Sequence, residues 1–268
     1  MKIFSKAGRI FYGFAIAATG LQQLFFKEFF QILFPPLPYR VPGLLYFAYL
    51  VGILLLIAGS AIALNFKTKF FAYLLGCVFL FFFIFCYVPY ELFISPYSPI
   101  HLGVWVVALK ELAYAGGAFA IAGNAPEYSN GIREKSKFVG FLEKITPFGR
   151  IMFSITMISF GVSHFYYTDT VQNMVPGWIS FHLFWTYFAG IALIGSGIAI
   201  ITKFRIKLIG NLLGIMIFLW FILLHIPGAV ANPVSNNGNE VTSMFSALAF
   251  SGIAFVIANS QSSERMPG

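Results

Sequence analysis

A chain of 268 residues that is 59% hydrophobic and 10% charged cannot clothe a soluble domain, which carries about 25% charged residues. With a mean hydropathy of +0.84, its solvent is lipid. The formal charge of +8 gives no nucleic-acid stripe, because the bases gather at the ends of apolar segments, the distribution that membrane insertion produces.

A helix needs about 20 mostly apolar residues to span a bilayer. Such stretches fall at about 10–30, 43–64, 69–89, 102–123, 150–168, 181–201, 206–227 and 241–260, which predicts about eight spans. The first runs on through Leu24-Phe25-Phe26 and Lys27-Glu28 into Phe29-Phe30-Gln31-Ile32-Leu33-Phe34. That tail reads as a short amphipathic helix on the membrane surface, stopped by Pro35-Pro36. Pro89 and Pro227 are expected to end their spans at the outer face. Cys77 and Cys86 share a span; nine residues of continuous helix place them about 13 Å apart on opposite faces, too far for a disulfide. There is no CxxC, so dithiol chemistry has no basis here.

Lys2, Lys6 and Arg9 ahead of an apolar run look like a signal peptide, and an internal repeat argues against it. Gly8-Arg9-Ile10 and Gly149-Arg150-Ile151 open two halves at an offset of 141, at which Gly20 matches Gly161, Phe26 matches Tyr167 and Pro35 matches Pro176. At an offset of 138, Tyr49, Gly52, Ile53, Leu55 and Gly59 match Tyr187, Gly190, Ile191, Leu193 and Gly197. Leu74-Leu75-Gly76 and Pro89 match Leu212-Leu213-Gly214 and Pro227, and Leu112-Ala113 and Gly116 match Leu248-Ala249 and Gly252. The first segment is therefore expected to be a retained span.

Lys2, Lys6, Arg9, Lys67, Lys69, Arg133, Lys135, Lys137, Lys144, Arg150, Lys203, Arg205, Lys207 and Arg265 fall on one side, fourteen of the 17 basic residues. Lys27 and Arg40 face the other side, and Lys110 lies within a span. The positive-inside rule places the fourteen, and both termini, in the cytoplasm. Four spans per copy is an even number, so the copies run parallel, related by an axis along the membrane normal. The expected fold is an all-α polytopic transmembrane bundle in the cell (inner or plasma) membrane. Residues 1–123 form one four-helix unit, 124–148 a cytoplasmic linker with a surface helix near Phe138–Ile145, 149–260 the second unit and 261–268 a tail.

Ionisable groups inside a bilayer are costly, so Lys110-Glu111, about 14 Å deep in the fourth span, needs a reason. Sequence neighbours diverge by about 100° on a helix, so each is expected to find its partner elsewhere, on another helix or in a polar cavity. Ser246-Ala247 stands at these positions in the second copy. A buried charge network and a functional site are both open. His101, His164, His182 and His225 all fall in the outer half, with Gln23 where His164 sits and Tyr87 where His225 sits. Lys110, Glu111, Gln23, Tyr87, His164 and His225 thus form a candidate intramembrane polar site. A quinone held by hydrogen bonds, or two imidazoles on a haem iron, could use it, although histidines that simply hydrogen-bond near headgroups are the more economical reading and haem the least. No nucleotide loop, zinc motif or serine-nucleophile motif is present, which weighs against ATPase or hydrolase activity, and no residue stands out as catalytic.

Four spans per unit, the GRI-type opening and the close Leu109-Lys110-Glu111-Leu112-Ala113-Tyr114-Ala115-Gly116-Gly117-Ala118 resemble the DoxX-like membrane proteins. The second copy departs from that close, with Ser246-Ala247-Leu248-Ala249-Phe250-Ser251-Gly252-Ile253. Some DoxX-like proteins are membrane subunits of a thiosulfate:quinone oxidoreductase, and others are linked to membrane redox or oxidative-stress complexes. The resemblance implies an accessory or quinone-contacting component with a membrane redox partner protein, and no independent activity unless as a subunit of such an oxidoreductase. A carrier or binding protein for a small hydrophobic molecule, and a scaffold recruiting partners through 124–148, remain as alternatives from other classes.

Overall fold

The computed structural model describes residues 2–27, 29, 33–37, 41–97, 101–126 and 137–260. Among them the chain is helical throughout, without strands: α1 (Lys2–Phe26), α2 (Leu44–Ala63), α3 (Thr68–Phe93), α4 (Leu102–Asn124), α5 (Lys137–Ile145), α6 (Gly149–Tyr166), α7 (His182–Ile201), α8 (Ile206–Ala231) and α9 (Asn239–Asn259). A short turn of helix, Thr168–Gln172, follows α6. Seven helical stretches among the described residues are long and apolar enough to cross a membrane: α2, α3, α4, the continuous Lys137–Tyr166 stretch holding α5 and α6, α7, α8 and α9. The first expected span forms α1 but is not one of the seven, because Arg9, Gln22 and Gln23 dilute it. These helices are apolar nearly all round, as expected where lipid replaces water on the outer face.

α4 and α9 are the most enclosed helices and lie at the centre. α1 packs on α2 and α9, while α6 packs on α7 and α4; α3 lies against α4, and α8 against α9. Glycines set the closest approaches. A Cβ on Gly8 would stand 2.4 Å from the Gly252 carbonyl oxygen, and one on Gly116 would stand 2.4 Å from that of Gly149. Gly20 meets the Gly52 backbone in the same way, and Gly161 meets that of Gly190. Small residues of this kind let transmembrane backbones pack without a hydrophobic driving force between them.

Arg9, two turns into α1, and Arg150, in the first turn of α6, play like roles. Arg9 Nη1 donates to the carbonyls of Ile62 and Ala63 at the end of α2, and Arg150 Nη1 donates to Ile200 at the end of α7, 3.5 Å away. A cation at a helix C-terminus satisfies carbonyls that the helix leaves unpaired. The loops beyond those ends also match in backbone: Asn65 and Lys67 in one, Lys203 and Arg205 in the other, are left-handed (φ +61°, +43°, +59° and +40°). Non-glycine residues rarely adopt that conformation.

Two expectations are corrected. Pro89 and Pro227 do not end their spans: α3 and α8 continue to Phe93 and Ala231. Each proline is instead preceded by a π-helical segment, Phe82–Tyr87 and Phe221–His225. Proline has no N–H to give and crowds the carbonyl four residues back, and widening the preceding turn accommodates both defects. The surface helix expected after residue 24 lies partly outside the described residues. α1 ends at Phe26, and Phe29, Leu33 and Phe34 are non-helical. Leu33 is buried in the core, and the rings of Phe29 and Phe34 pack on Phe82. The stretch is too apolar to stay outside the bundle.

Residues 127–136 of the linker and the tail, 261–268, lie outside the described residues. The expected surface helix is α5, held by buried Leu142 and by a Lys69 Nζ–Glu143 Oε1 ion pair of 3.2 Å, with Phe141 exposed. Both cysteines are free.

Candidate ligand-binding cavity

α6, α7, α8 and α9, with one face of α4, line a partly open cavity of about 350 Å³. This size is at the lower end for small-molecule sites. Three of the six sequence-predicted polar residues, Lys110, His164 and His225, line it together. Lys110 arrives from α4, about 12 Å of helix beyond Leu102, and is half-buried at the cavity wall. It makes no hydrogen bond or ion pair with any described residue, and none of the lining residues is acidic. His225 lines the same cavity as Lys110.

His164 sits in the last turn of α6, where Nδ1 is 2.7 Å from the Phe160 carbonyl oxygen. A carbonyl only accepts, so Nδ1 donates and carries the hydrogen, and Nε2 of the neutral ring is left as an acceptor. His225 closes the π-helical segment before Pro227, so the proline-driven turn sets its direction. Trp185 and Trp220 also line the wall, their rings 5.9 Å apart and nearly perpendicular. The Trp220 Nε1–H is buried without an acceptor. The rest is mostly apolar: Met157, Phe160, Met174, Leu193, Ile217 and Phe250.

The other three predicted residues lie elsewhere. Glu111, fully buried, is not part of the cavity lining and lies on the side of Tyr12, Cys86 and Tyr87. Lys110 and Glu111 therefore do not pair, as their helical divergence requires. Both Glu111 carboxyl oxygens and the buried Tyr87 hydroxyl lack a hydrogen-bond partner. Gln23 Nε2 donates to the Ala48 carbonyl at 2.6 Å, leaving Oε1 unpartnered.

The residues at matching sequence positions differ between the two sides among the described residues. Trp185 and Trp220 correspond to Phe47 and Phe82, whose rings are 6.1 Å apart. Met174 and Val175 correspond to Leu33 and Phe34, which fold inward with Phe29 against Phe82 and fill the volume. Ala247, on the cavity wall, corresponds to Glu111.

Between the two sides, Tyr12 donates to the Tyr114 carbonyl at 2.9 Å, and Tyr114 to Ser246 Oγ at 2.8 Å. Gln22 Nε2 donates to the Gly238 carbonyl and to Thr242 Oγ1, at 2.8 and 3.0 Å. Sequence reasoning missed Trp185, Trp220 and Gln22. The available signal was an indole or amide within an apolar run, where its polar atoms need a partner.

No group of three or more metal-binding side chains occurs among the described residues. Comparison with family models, curated proteins and solved structures gives no match for this chain.

Proposed function

We propose that this multi-pass membrane protein binds a small hydrophobic molecule with a hydrogen-bonding head in the cavity at Lys110. The observation that carries this reading is an intramembrane pocket, apolar along most of its wall, whose lining includes Lys110, His164 and His225. Apolar enclosure with a few polar groups is the usual construction of a small-molecule site.

The scaffold in this reading is two DoxX-like four-helix units running parallel, with eight spans and both termini on the cytoplasmic side. Paired glycine contacts, paired arginine caps, paired left-handed loops and paired π-helical segments support it. For α1 as the eighth span, the argument is its run beside α9: Gly8 meets Gly252 near one end and Gln22 meets Gly238 near the other, about 21 Å of helix. A helix lying along that length of a spanning partner crosses with it.

A quinone-linked accessory role in a membrane redox system is the second reading. The Lys110-Glu111 close and the two imidazoles at the cavity favour it. The test is to purify the protein in mild detergent and analyse an organic extract by mass spectrometry, with the visible spectrum recorded beforehand. A stoichiometric lipid-like compound is expected. Quinone as that compound selects the redox reading, a different amphiphile selects the carrier, and an extract without any enriched compound counts against both.

A further inference from the structure

We infer that the head group the cavity selects is anionic: an apolar chain ending in a carboxylate or a similar oxyanion, rather than a neutral carbonyl compound. This rests on the cavity being a ligand site, and deepens it.

The Lys110 ammonium has three N–H donors and no acceptor capacity, and it has no hydrogen-bond or ion-pair partner among the described residues. The wall offers a neutral acceptor in His164 Nε2, but none of its lining residues is acidic. The other ionisable group on that stretch of α4, Glu111, is fully buried and is not part of the cavity lining. A lysine held at membrane depth with no counter-charge is strongly disfavoured. The missing complement is therefore an acceptor that also carries negative charge. A quinone carbonyl supplies the first property and not the second. An oxyanion supplies both, in a charge-assisted hydrogen bond of about twice the ordinary strength.

The position of the lysine agrees with this. Lys110 and Ser246 line the cavity from α4 and α9, while Met157, Leu193 and Ile217 give apolar wall for a chain. His225 lines the same wall.

The experiment uses the full chain in nanodiscs of phosphatidylcholine, at a pH where the acid is ionised. Terminally brominated dodecanoate, the matching brominated dodecanol and decylubiquinone are titrated, and saturable quenching of the cavity tryptophans is read. Dodecanoate should bind about tenfold or more tighter than the alcohol. Lys110→Met should bring the acid to the level of the alcohol, and Lys110→Arg should retain the preference, which separates loss of charge from loss of fold. Repeating the titration in phosphatidylglycerol discs distinguishes sources: weakened dodecanoate binding there means that bilayer lipid supplies the anion, and unchanged binding means a free acid. Equal affinity for acid and alcohol, or a preference that survives Lys110→Met, overturns the anionic head while the ligand site stands. Failure of all three compounds to quench overturns both.

Discussion

The contact of α4 with α6 gives the most quantitative prediction. In Gly116→Ala the added carbon would lie 2.4 Å from the Gly149 carbonyl oxygen and 3.0 Å from Met152 Cβ and Phe153 N, where ordinary contact begins at 3.4 Å. Backbone atoms cannot step aside as a side-chain tip can, so the two helices must separate by about 1 Å along their closest stretch. Overpacking of this kind costs about 3 kcal/mol at its upper end, and replacing a helical glycine by alanine returns about 1 kcal/mol. The net loss is about 2 kcal/mol, equivalent to about 4–8 °C in Tm for a chain of this size. Gly252→Ala, facing the Gly8 carbonyl at 2.5 Å, should cost a similar amount, and the double variant should lose the sum, since the contacts lie at separate interfaces. Gly195→Ala is the control: nothing lies within 4 Å of its added carbon, so it should lose no stability. The assay is thermal unfolding in a fixed mild detergent, followed by loss of the monodisperse peak on size-exclusion chromatography. A Gly116→Ala protein as stable as wild type, or no more affected than Gly195→Ala, would refute the close-packing argument.

Other consequences can be tested alongside it. Arg9→Gln removes the cation from the last carbonyls of α2 and should cost about 1 kcal/mol by the same assay; Arg150→Gln, whose bond is longer at 3.5 Å, should cost less. Gln22→Leu leaves the Gly238 carbonyl without this donor inside the bundle and should destabilise by about 1–3 kcal/mol, a larger loss than that of Arg150→Gln. In Pro227→Ala the restored N–H lets the α-helical ladder close, which turns His225 away from its present direction; quenching titrations should show weaker dodecanoate binding with Tm unchanged or raised. Ala189→Phe places a ring within the cavity and should abolish binding of acid and alcohol alike. Reporter fusions within 124–148 should read as cytoplasmic; an external signal would invert the proposed orientation.

Much of the architecture was legible because lipid imposes a simple rule: long apolar runs with charged ends become helices, and seven of the eight expected runs meet that standard. α1 fell short through three polar residues, each with a packing role that hydropathy does not register: Arg9 on α2, Gln22 on α9 and Gln23 on the Ala48 carbonyl. The divergence of Lys110 and Glu111 followed from helical geometry alone, and in the structure only Lys110 lines the cavity. The prolines misled because a stop and a widened turn begin from the same defect, and only the packing around Tyr87 and His225 decides between them. Grouping Gln23 and Tyr87 with His164 and His225 followed matched depth. Whether space opens beside such residues depends on neighbours such as Phe34 and Val175, whose inward course no periodicity announces.

The plugged side, where Phe29, Leu33 and Phe34 occupy what Thr170, Met174 and Val175 leave open, has a consequence for how the chain tolerates change. Trimming those aromatic rings should be felt first as a fall in melting temperature, whereas trimming the tryptophan-lined side should be felt first as altered occupancy. A saturation-mutagenesis map scored separately for abundance and for ligand retention would then come out lopsided, the two scores parting company in one half of the polypeptide and moving together in the other.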